Sequence, residues 1–544
     1  MPTNNPYNPQ LHLETQPGAA PQQYPMPPVP PMPMMPPPRR GQPAAHTWQQ
    51  RMMRNYGMGM YAQLRKGELT IPDWLVGRPI VVFFVALFAC WAAFGYVPGA
   101  DLVLTACISI VLFFYVGYAM SRGWERANEK RFLRNIFLTG LFIRVLWVLY
   151  CYFVFNPDHY GTTFGESADV AWYMPFGQEI AQWIVGDREE SFSQLKSNWQ
   201  AAVDDIGYPV WLALGYLLWG EEGDVFMPMM VKCIVSAYCA ICMYNVAKRH
   251  YGDGVARVAA IFICLNPNMI YWCGCMFKEA EMVFLCCLAV DNFDRVLTSG
   301  KQFTFQSLLP GVLAALALMF FRTALGLVMF LAVFAHIVMA SSRVMSMGKK
   351  IIAGVLVASV LLVSMGDRIR TQSQELLSAA QSDSQSKNME WRSHRTGGNS
   401  FAKYATATVF APLIFTIPFP TFNQANEKQL LQVQLSGGYY IKNILSFFVV
   451  VVMLLLLVSG EWRKHVFILA YTVGYMMVLV MSSFAQSGRF HMPIWPMLML
   501  FAAYGVQIAK GNARLRRGFA IVLVVEIFAC LAWNWFKLAG RGMI

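Results

Sequence analysis

Charge is scarce in this chain: Asp, Glu, Lys and Arg supply 13% of 544 residues, against 56% hydrophobic side chains. A soluble domain of this length needs far more polar surface, so a cytosolic enzyme is excluded and the bulk reads as a membrane protein. Acid is scarcer than base, 30 residues against 43. In a membrane protein that excess belongs to cytoplasmic loops rather than to nucleic acid. Cysteine spacing with metal-ligand or disulfide character is missing. All twelve cysteines lie in apolar stretches without CxxC repeats and read as small hydrophobes. Met1 is not followed by a basic n-region and a short apolar h-region, so no signal peptide is expected, and the first apolar helix begins only at Pro79. No internal repeat of the transporter kind is visible.

What is present divides into three parts. Residues 1–78 are Pro-rich at first, with runs such as Pro36-Pro37-Pro38, and read as a disordered cytoplasmic tail. Residues 79–133 read as a transmembrane hairpin, 79–97 and 102–120 joined at Pro98-Gly99, followed by a basic loop. Residues 134–544 hold the remaining spans, with outer loops 156–225 and 367–440. Arg51, Arg54, Arg65, Lys66 and Arg78 before the first span place the N-terminus in the cytoplasm. Loop 156–225 inverts the charge, with twelve acids against Arg188 and Lys196, which suits the outer side. Within it, 207–220 is apolar but only 14 residues long, and reads as an interfacial helix. The stretch 404–422 is read the same way. With 207–220 left uncrossed, the basic residues after 247, 297, 341, 459 and 509 all fall inside. The expected fold is an all-α polytopic membrane protein of about thirteen transmembrane helices, including spans at 279–297, 304–321, 323–341, 351–366 and 466–483.

This topology leaves few ionisable residues beside spans at the outer surface: Glu166, Asp169, Lys278, Glu279, Glu281, Arg322, Arg368, Arg370, Arg489 and His491. Such groups are costly to desolvate and mark candidate sites. Helical spacing puts Asp169, Tyr173 and Gly177 on one face. Asn266-Pro267-Asn268 is expected to bend the span 255–276 just before it delivers Lys278-Glu279. Arg322 sits at a tight turn between two apolar spans, and Arg489 and His491 stand where a new inward span begins. One acid and several cations on one membrane face suit transfer from a phosphate leaving group. The carboxylate accepts the proton of an attacking hydroxyl, and the cations neutralise the departing phosphate.

Over residues 134–510 the chain resembles the GT-C superfamily of integral-membrane glycosyltransferases, the polyprenyl-phosphate-sugar-dependent kind that includes aminoarabinose and protein mannosyltransferases. The likeness rests on the acidic loop with Asp169 to Tyr173 and on the Gly-Tyr-Pro segment ending at Gly220. It continues through Ala247-Lys248-Arg249-His250-Tyr251-Gly252, Leu265-Asn266-Pro267-Asn268 with Lys278-Glu279 beyond, and the late Gly488-Arg489-Phe490-His491-Met492-Pro493. The hairpin 79–120 and the tail lie outside it, and a large soluble C-terminal domain is not expected. The resemblance implies a GT-C-like core with interfacial helices in the first outer loop, a polyprenyl-phosphate sugar donor, and inversion at the sugar carbon. It implies Asp169 as the general base with Glu166 as its rival. Tyr173, Lys278, Glu279, Arg322, Arg489 and His491 would line the substrate, the cations holding the lipid phosphate. A divalent metal occurs in some relatives, but the sequence offers no clear second carboxylate for one, and no metal ligand is assigned. The acceptor, whether lipid, glycan or protein, is left open. The expected place is a bacterial inner membrane with the active site on its outer face, among membrane lipids and without nucleic acid.

Rival readings come from other classes. An O-antigen ligase or polymerase would use loop 367–440 and move an oligosaccharide. A lipid-linked glycan transporter would carry ionisable groups spread through mid-membrane, where only Arg144, Lys232 and Glu526 qualify, and these read as structural pairs. A scaffold anchored for its Pro-rich tail is the third.

Overall fold

The computed structural model describes residues 70–165, 170–198, 206–220, 225–299, 305–339, 390, 400, 411, 413–481, 485 and 487–544. Among them the regular structure is helical, with no strand. Seven helices are long and apolar enough to cross a membrane. They are α1 (Asp73–Phe94), α2 (Ala100–Gly123), α3 (Glu129–Tyr160), α6 (Phe226–Tyr251), α12 (Ser436–Ser459), α14 (Gly488–Lys510) and α15 (Ala513–Ala539). An eighth is broken: α7 (Asp253–Cys264) and α8 (Pro267–Gly274) meet at a bend of 48°. The expected bend at Asn266 has a local cause. Asn266 leaves the helix with extended backbone, and its side chain caps α8 by accepting from Asn268 N and Met269 N, while Pro267 opens the new helix.

Of the thirteen crossing helices expected, the described residues hold seven, or eight with the broken pair, that are long and apolar enough to cross. Three of the expected spans are shorter apolar helices, α10 (Phe305–Phe321), α11 (Thr323–Met339) and α13 (Val466–Met481). The expected span 279–297 is α9 (Glu279–Thr298), too charged to qualify by composition. Its charges are paired within the protein: Arg249 bridges Asp291 at 2.7 Å and Asp294 at 2.6 Å, and Arg489 bridges Glu279. The expected span 351–366, the tail up to residue 69 and most of 367–410 lie outside the described residues. The described end of 404–422 runs as turns rather than as a helix.

The core is built around α14, whose apolar window is wholly buried, while α3 and α15 bury only 28% of theirs and lie at the periphery. Phe88 on α1, Phe142 and Phe153 on α3, and Ile521 and Phe528 on α15 are exposed, an outer apolar surface of the kind lipid covers. The two N-terminal helices splay apart to different partners. α1 packs chiefly on α15 and α2 chiefly on α12. Tyr440 donates to Pro79 O at 2.6 Å, and Trp91 Nε1 donates to Phe422 O at 2.9 Å. Between loop 156–165 and α6, α4 (Val170–Val185) packs on α5 (Gly207–Trp219), the 13-residue helix expected at the interface.

Candidate active site

The end of α8, Trp272–Gly274, tightens to a 3-10 turn, the connection Cys275–Lys278 to α9 is irregular, and the whole stretch is buried. Irregular backbone at membrane depth survives only if its polar groups find partners inside the protein. Here side chains supply them. Trp147 Nε1 donates to Tyr271 O at 3.2 Å, and Asn156 Nδ2 donates to Gly274 O at 2.9 Å. Lys232 Nζ donates to Cys275 O at 2.8 Å and also to Phe277 O. Met276 N–H donates to Phe164 O at 3.0 Å, tying the turn to the loop that comes after α3.

Four of the eight expected site residues meet at this turn: Tyr173, Lys278, Glu279 and Arg489. Lys278 is buried and its Nζ lies 5.8 Å from the ring centroid of Tyr173. Tyr173 meets Tyr208 edge-on at 5.2 Å, and Lys232 lies 5.1 Å from the Tyr208 ring. Glu279 and Glu281 occupy the first turn of α9, where the helix dipole favours carboxylates. Glu279 Oε1 accepts from Arg489 Nε, and the Arg489 guanidinium lies 4.4 Å from the Phe277 ring. Glu279 Oε2 is buried and has no hydrogen-bond partner among the described residues. Glu279 lines a gap with Ser236, Met269, Trp272 and Met492 that is too narrow for water. Arg322, the single residue between α10 and α11, lies 4.3 Å from the Phe490 ring. It donates to Tyr475 Oη at 3.1 Å, which in turn donates to Phe490 O at 3.1 Å. Gly488 allows this approach, because a Cβ there would stand 2.2 Å from the Tyr439 ring.

Glu166 and Asp169 lie outside the described residues. Both flanks of their segment, however, reach the same turn. On one side Gly165, at φ +91°, would place a Cβ 3.1 Å from Cys275 Sγ; on the other stands Tyr173, beside Lys278. Tyr173 and Gly177 do share a buried face, which packs on α5.

His491 is brought elsewhere. It is fully buried, its Nε2 lies 2.9 Å from Ala485 O and its Nδ1 lies 3.1 Å from Lys442 Nζ. A carbonyl accepts only, so Nε2 carries the proton and Nδ1 accepts from the ammonium group. Both ring nitrogens are thereby committed to the core. The three mid-membrane residues read as structural pairs also divide. Lys232 does pair, with Glu281 at 3.7 Å. Arg144 instead donates to Ser236 Oγ at 2.8 Å and to Gly140 O and Cys264 O, both at 3.0 Å. Glu526 accepts from Asn443 Nδ2 at 3.2 Å and from Cys530 Sγ at 3.7 Å. Lys442 and Asn156 were not among the expected residues. Lys442 was visible as a charge one residue inside the apolar run 441–459, and Asn156 as an amide at the end of span 135–155.

Residues 189–369 match the Alg9-like mannosyltransferase family. That is a GT-C-type membrane glycosyltransferase family, in agreement with the resemblance drawn from the motifs, and the match supports a membrane glycosyltransferase. The matched region contains Lys232, Lys278, Glu279, Glu281 and Arg322, and ends before Arg489. A search of curated proteins and a search of solved structures returned no match. As to a metal, no three ligating side chains converge among the described residues. Glu279 and Glu281 face Arg489 and Lys232, cations that oppose a metal ion there.

Proposed function

We propose that the chain transfers a sugar, mannose by its family match, from a polyprenyl-phosphate donor to an acceptor hydroxyl at the outer face of a bacterial inner membrane. Asp169 takes the hydroxyl proton, with Glu166 as the rival base. The hydroxyl oxygen attacks the sugar carbon from the side opposite the phosphate, the carbon–oxygen bond to phosphate breaks, and its electron pair leaves with the polyprenyl phosphate. One displacement with one base inverts the carbon. Lys278, Arg322 and Arg489 neutralise the phosphate, Tyr173 and Glu279 line the site, and charge developing on the leaving oxygen meets preorganised cations.

The observation that carries this reading is that both flanks of the segment holding Glu166 and Asp169 reach the turn that presents Lys278 and Glu279. Outward placement is supported by the basic residues in or just beyond the last turns of α6, α12 and α14, at their opposite ends. The test uses membranes from a strain lacking the native gene and expressing the protein, given radiolabelled polyprenyl-phosphate mannose. Asp169→Asn should abolish label transfer into lipid, glycan or protein fractions at unchanged protein level. Full activity in that variant removes Asp169 from the mechanism and moves the role to Glu166.

A further inference from the structure

Asn156 is fully buried at the end of α3, directly after a π-helical turn, Cys151–Phe155. A π-turn inserts one residue into the helical phase and so re-aims the side chains beyond it, and such turns concentrate at functional sites. Here the Asn156 amide lies between two backbone segments that are not neighbours in sequence. Its Nδ2 donates to Thr163 O at 3.0 Å and to Gly274 O at 2.9 Å. Both partners are carbonyls, which accept only, so the amide orientation is fixed: the rotated amide would set oxygen against two oxygens. Thr163 lies three residues before Glu166, and Gly274 lies four before Lys278. One side chain thus bridges the loop that leads to the expected base and the turn that carries the phosphate-binding residues. Lys232 holds the same turn from α6 through Cys275 O and Phe277 O, with Glu281 balancing its charge.

We infer that Asn156 is a positioning residue that sets the separation between the base and the donor phosphate. The inference rests on the proposed transfer reaction. Asn156 touches neither substrate; it fixes the geometry through two carbonyls, and misplacement of reacting groups by about 1 Å can cost on the order of 100-fold in rate. Lys232 fixes only the phosphate side, so loss of its bonds should weaken donor binding. The two residues therefore separate kinetically.

The test is Asn156→Asp, which keeps the shape and replaces a shared donor by an acceptor, alongside Lys232→Met and Lys232→Arg. Transfer from radiolabelled polyprenyl-phosphate mannose is measured in membranes, and binding of polyprenyl phosphate alone is measured on the purified full chain in detergent. The expected result for Asn156→Asp is a fall in kcat of at least about 10-fold with KM and polyprenyl-phosphate affinity within twofold of wild type. Lys232→Met should instead raise KM and weaken binding, and Lys232→Arg, which keeps the donors, should restore both. Unchanged kcat in Asn156→Asp overturns the inference. So does a parallel loss of rate, binding and folded yield in both Asn156→Asp and a milder Asn156→Ser, since that marks a purely structural residue. If the wild-type protein transfers nothing from any polyprenyl-phosphate sugar, the reaction assignment itself falls and takes the inference with it.

Discussion

The bridge between Glu279 and Arg489 permits a test that separates stability from chemistry. Glu279 is fully buried and Arg489 is 19% exposed at its side chain. Replacing Glu279 by Leu leaves a guanidinium with its carboxylate gone, pressed against the Phe277 ring at 4.4 Å. Breaking a fully buried pair from one side costs about 3–5 kcal/mol. With Arg489 one-fifth open to solvent, the expected loss for Glu279→Leu is about 2–3 kcal/mol. Arg489→Leu strands the Glu279 carboxylate beside an oxygen that already has no partner, and should cost at least as much. The double variant replaces the pair by apolar volume, which is commonly near neutral, so its loss should be smaller than either single loss. The resulting coupling of about 2 kcal/mol or more is read from unfolding titrations of the four proteins in detergent. Sugar transfer should fall by about 100-fold or more in both Arg489→Leu and the double variant, because a cation near the departing phosphate is gone in each. Recovered stability with lost transfer assigns the pair to the site. A coupling below about 0.5 kcal/mol would refute the bridge as an energetic unit, and full transfer in the double variant would refute the role of Arg489.

Gly488→Ala puts a methyl group 2.2 Å from the Tyr439 ring and should displace the segment carrying Arg489, costing about 1–3 kcal/mol and lowering transfer; thermal unfolding and the membrane assay check both. His491→Leu removes one acceptor of Lys442, which keeps Ile417 O, and the donor that Ala485 O has among the described residues; at about 1–3 kcal/mol for the orphaned carbonyl and about 1 kcal/mol for the lysine it should cost about 2–4 kcal/mol in unfolding titrations. His465, in the connection between α12 and α13, is pushed down to about 3 by burial, with His250 and Lys464 adding to the effect. Its unfolded form binds a proton near pH 6.5, so its contribution is complete above that pH and is lost as pH falls toward 3. The drop between pH 7.5 and pH 5 should be about 2 kcal/mol, and His465→Gln should flatten it in pH-dependent melting.

Most of the helices were legible because length and apolar composition are local properties. The break at Asn266 was legible for the same reason: an Asn cap followed by Pro is written into three consecutive residues. The nature of α9 was not. Glu279 and Glu281 stand out in the sequence only as outer-surface charges and Asp291 and Asp294 not at all, because their partners Arg249, Lys232 and Arg489 come from α6 and α14, and sequence spacing carries no record of which distant cation answers which acid. The placement of Asn156 was hidden by the π-turn, which shifts the phase that a 3.6-residue period assumes. The splaying of α1 and α2 was hidden too. A short connection at Pro98-Gly99 implies neighbours, but apolar helix faces have no directional code, and α15 and α12 offer the larger contacts. Of the site residues expected on one membrane face, Tyr173 lies beside Lys278, Glu279 pairs with Arg489, and Arg322 packs on Phe490. His491 shows the limit of that argument, since helical advance from Arg489 turns the side chain two residues later toward Lys442.

The balance of charge at the turn bears on how the proposed transfer would run. Lys232, Lys278, Arg322 and Arg489 set against Glu279 and Glu281 leave a surplus of two positive charges, four minus two, before Asp169 and Glu166 are counted. The donor phosphodiester carries one negative charge and the released polyprenyl phosphate carries two. Meanwhile the base goes from charged to neutral as it takes the proton. The reaction therefore moves one negative charge from carboxylate to phosphate without changing the total, and the protein need not reorganise its net field. What it needs is cations nearer the phosphate than the base, held still while the charge moves. Two of the four are fixed by carboxylates, Lys232 by Glu281 and Arg489 by Glu279, and Arg322 is held by Tyr475 and Phe490. A carboxylate that fixes a guanidinium also repels the incoming phosphate, and repels the doubly charged leaving group more than the singly charged donor. On this reasoning Glu279 positions Arg489 at an electrostatic cost that grows as the phosphate gains charge, and Glu279→Gln should tighten binding of polyprenyl phosphate more than binding of the donor, as binding measured for both on the purified protein would show.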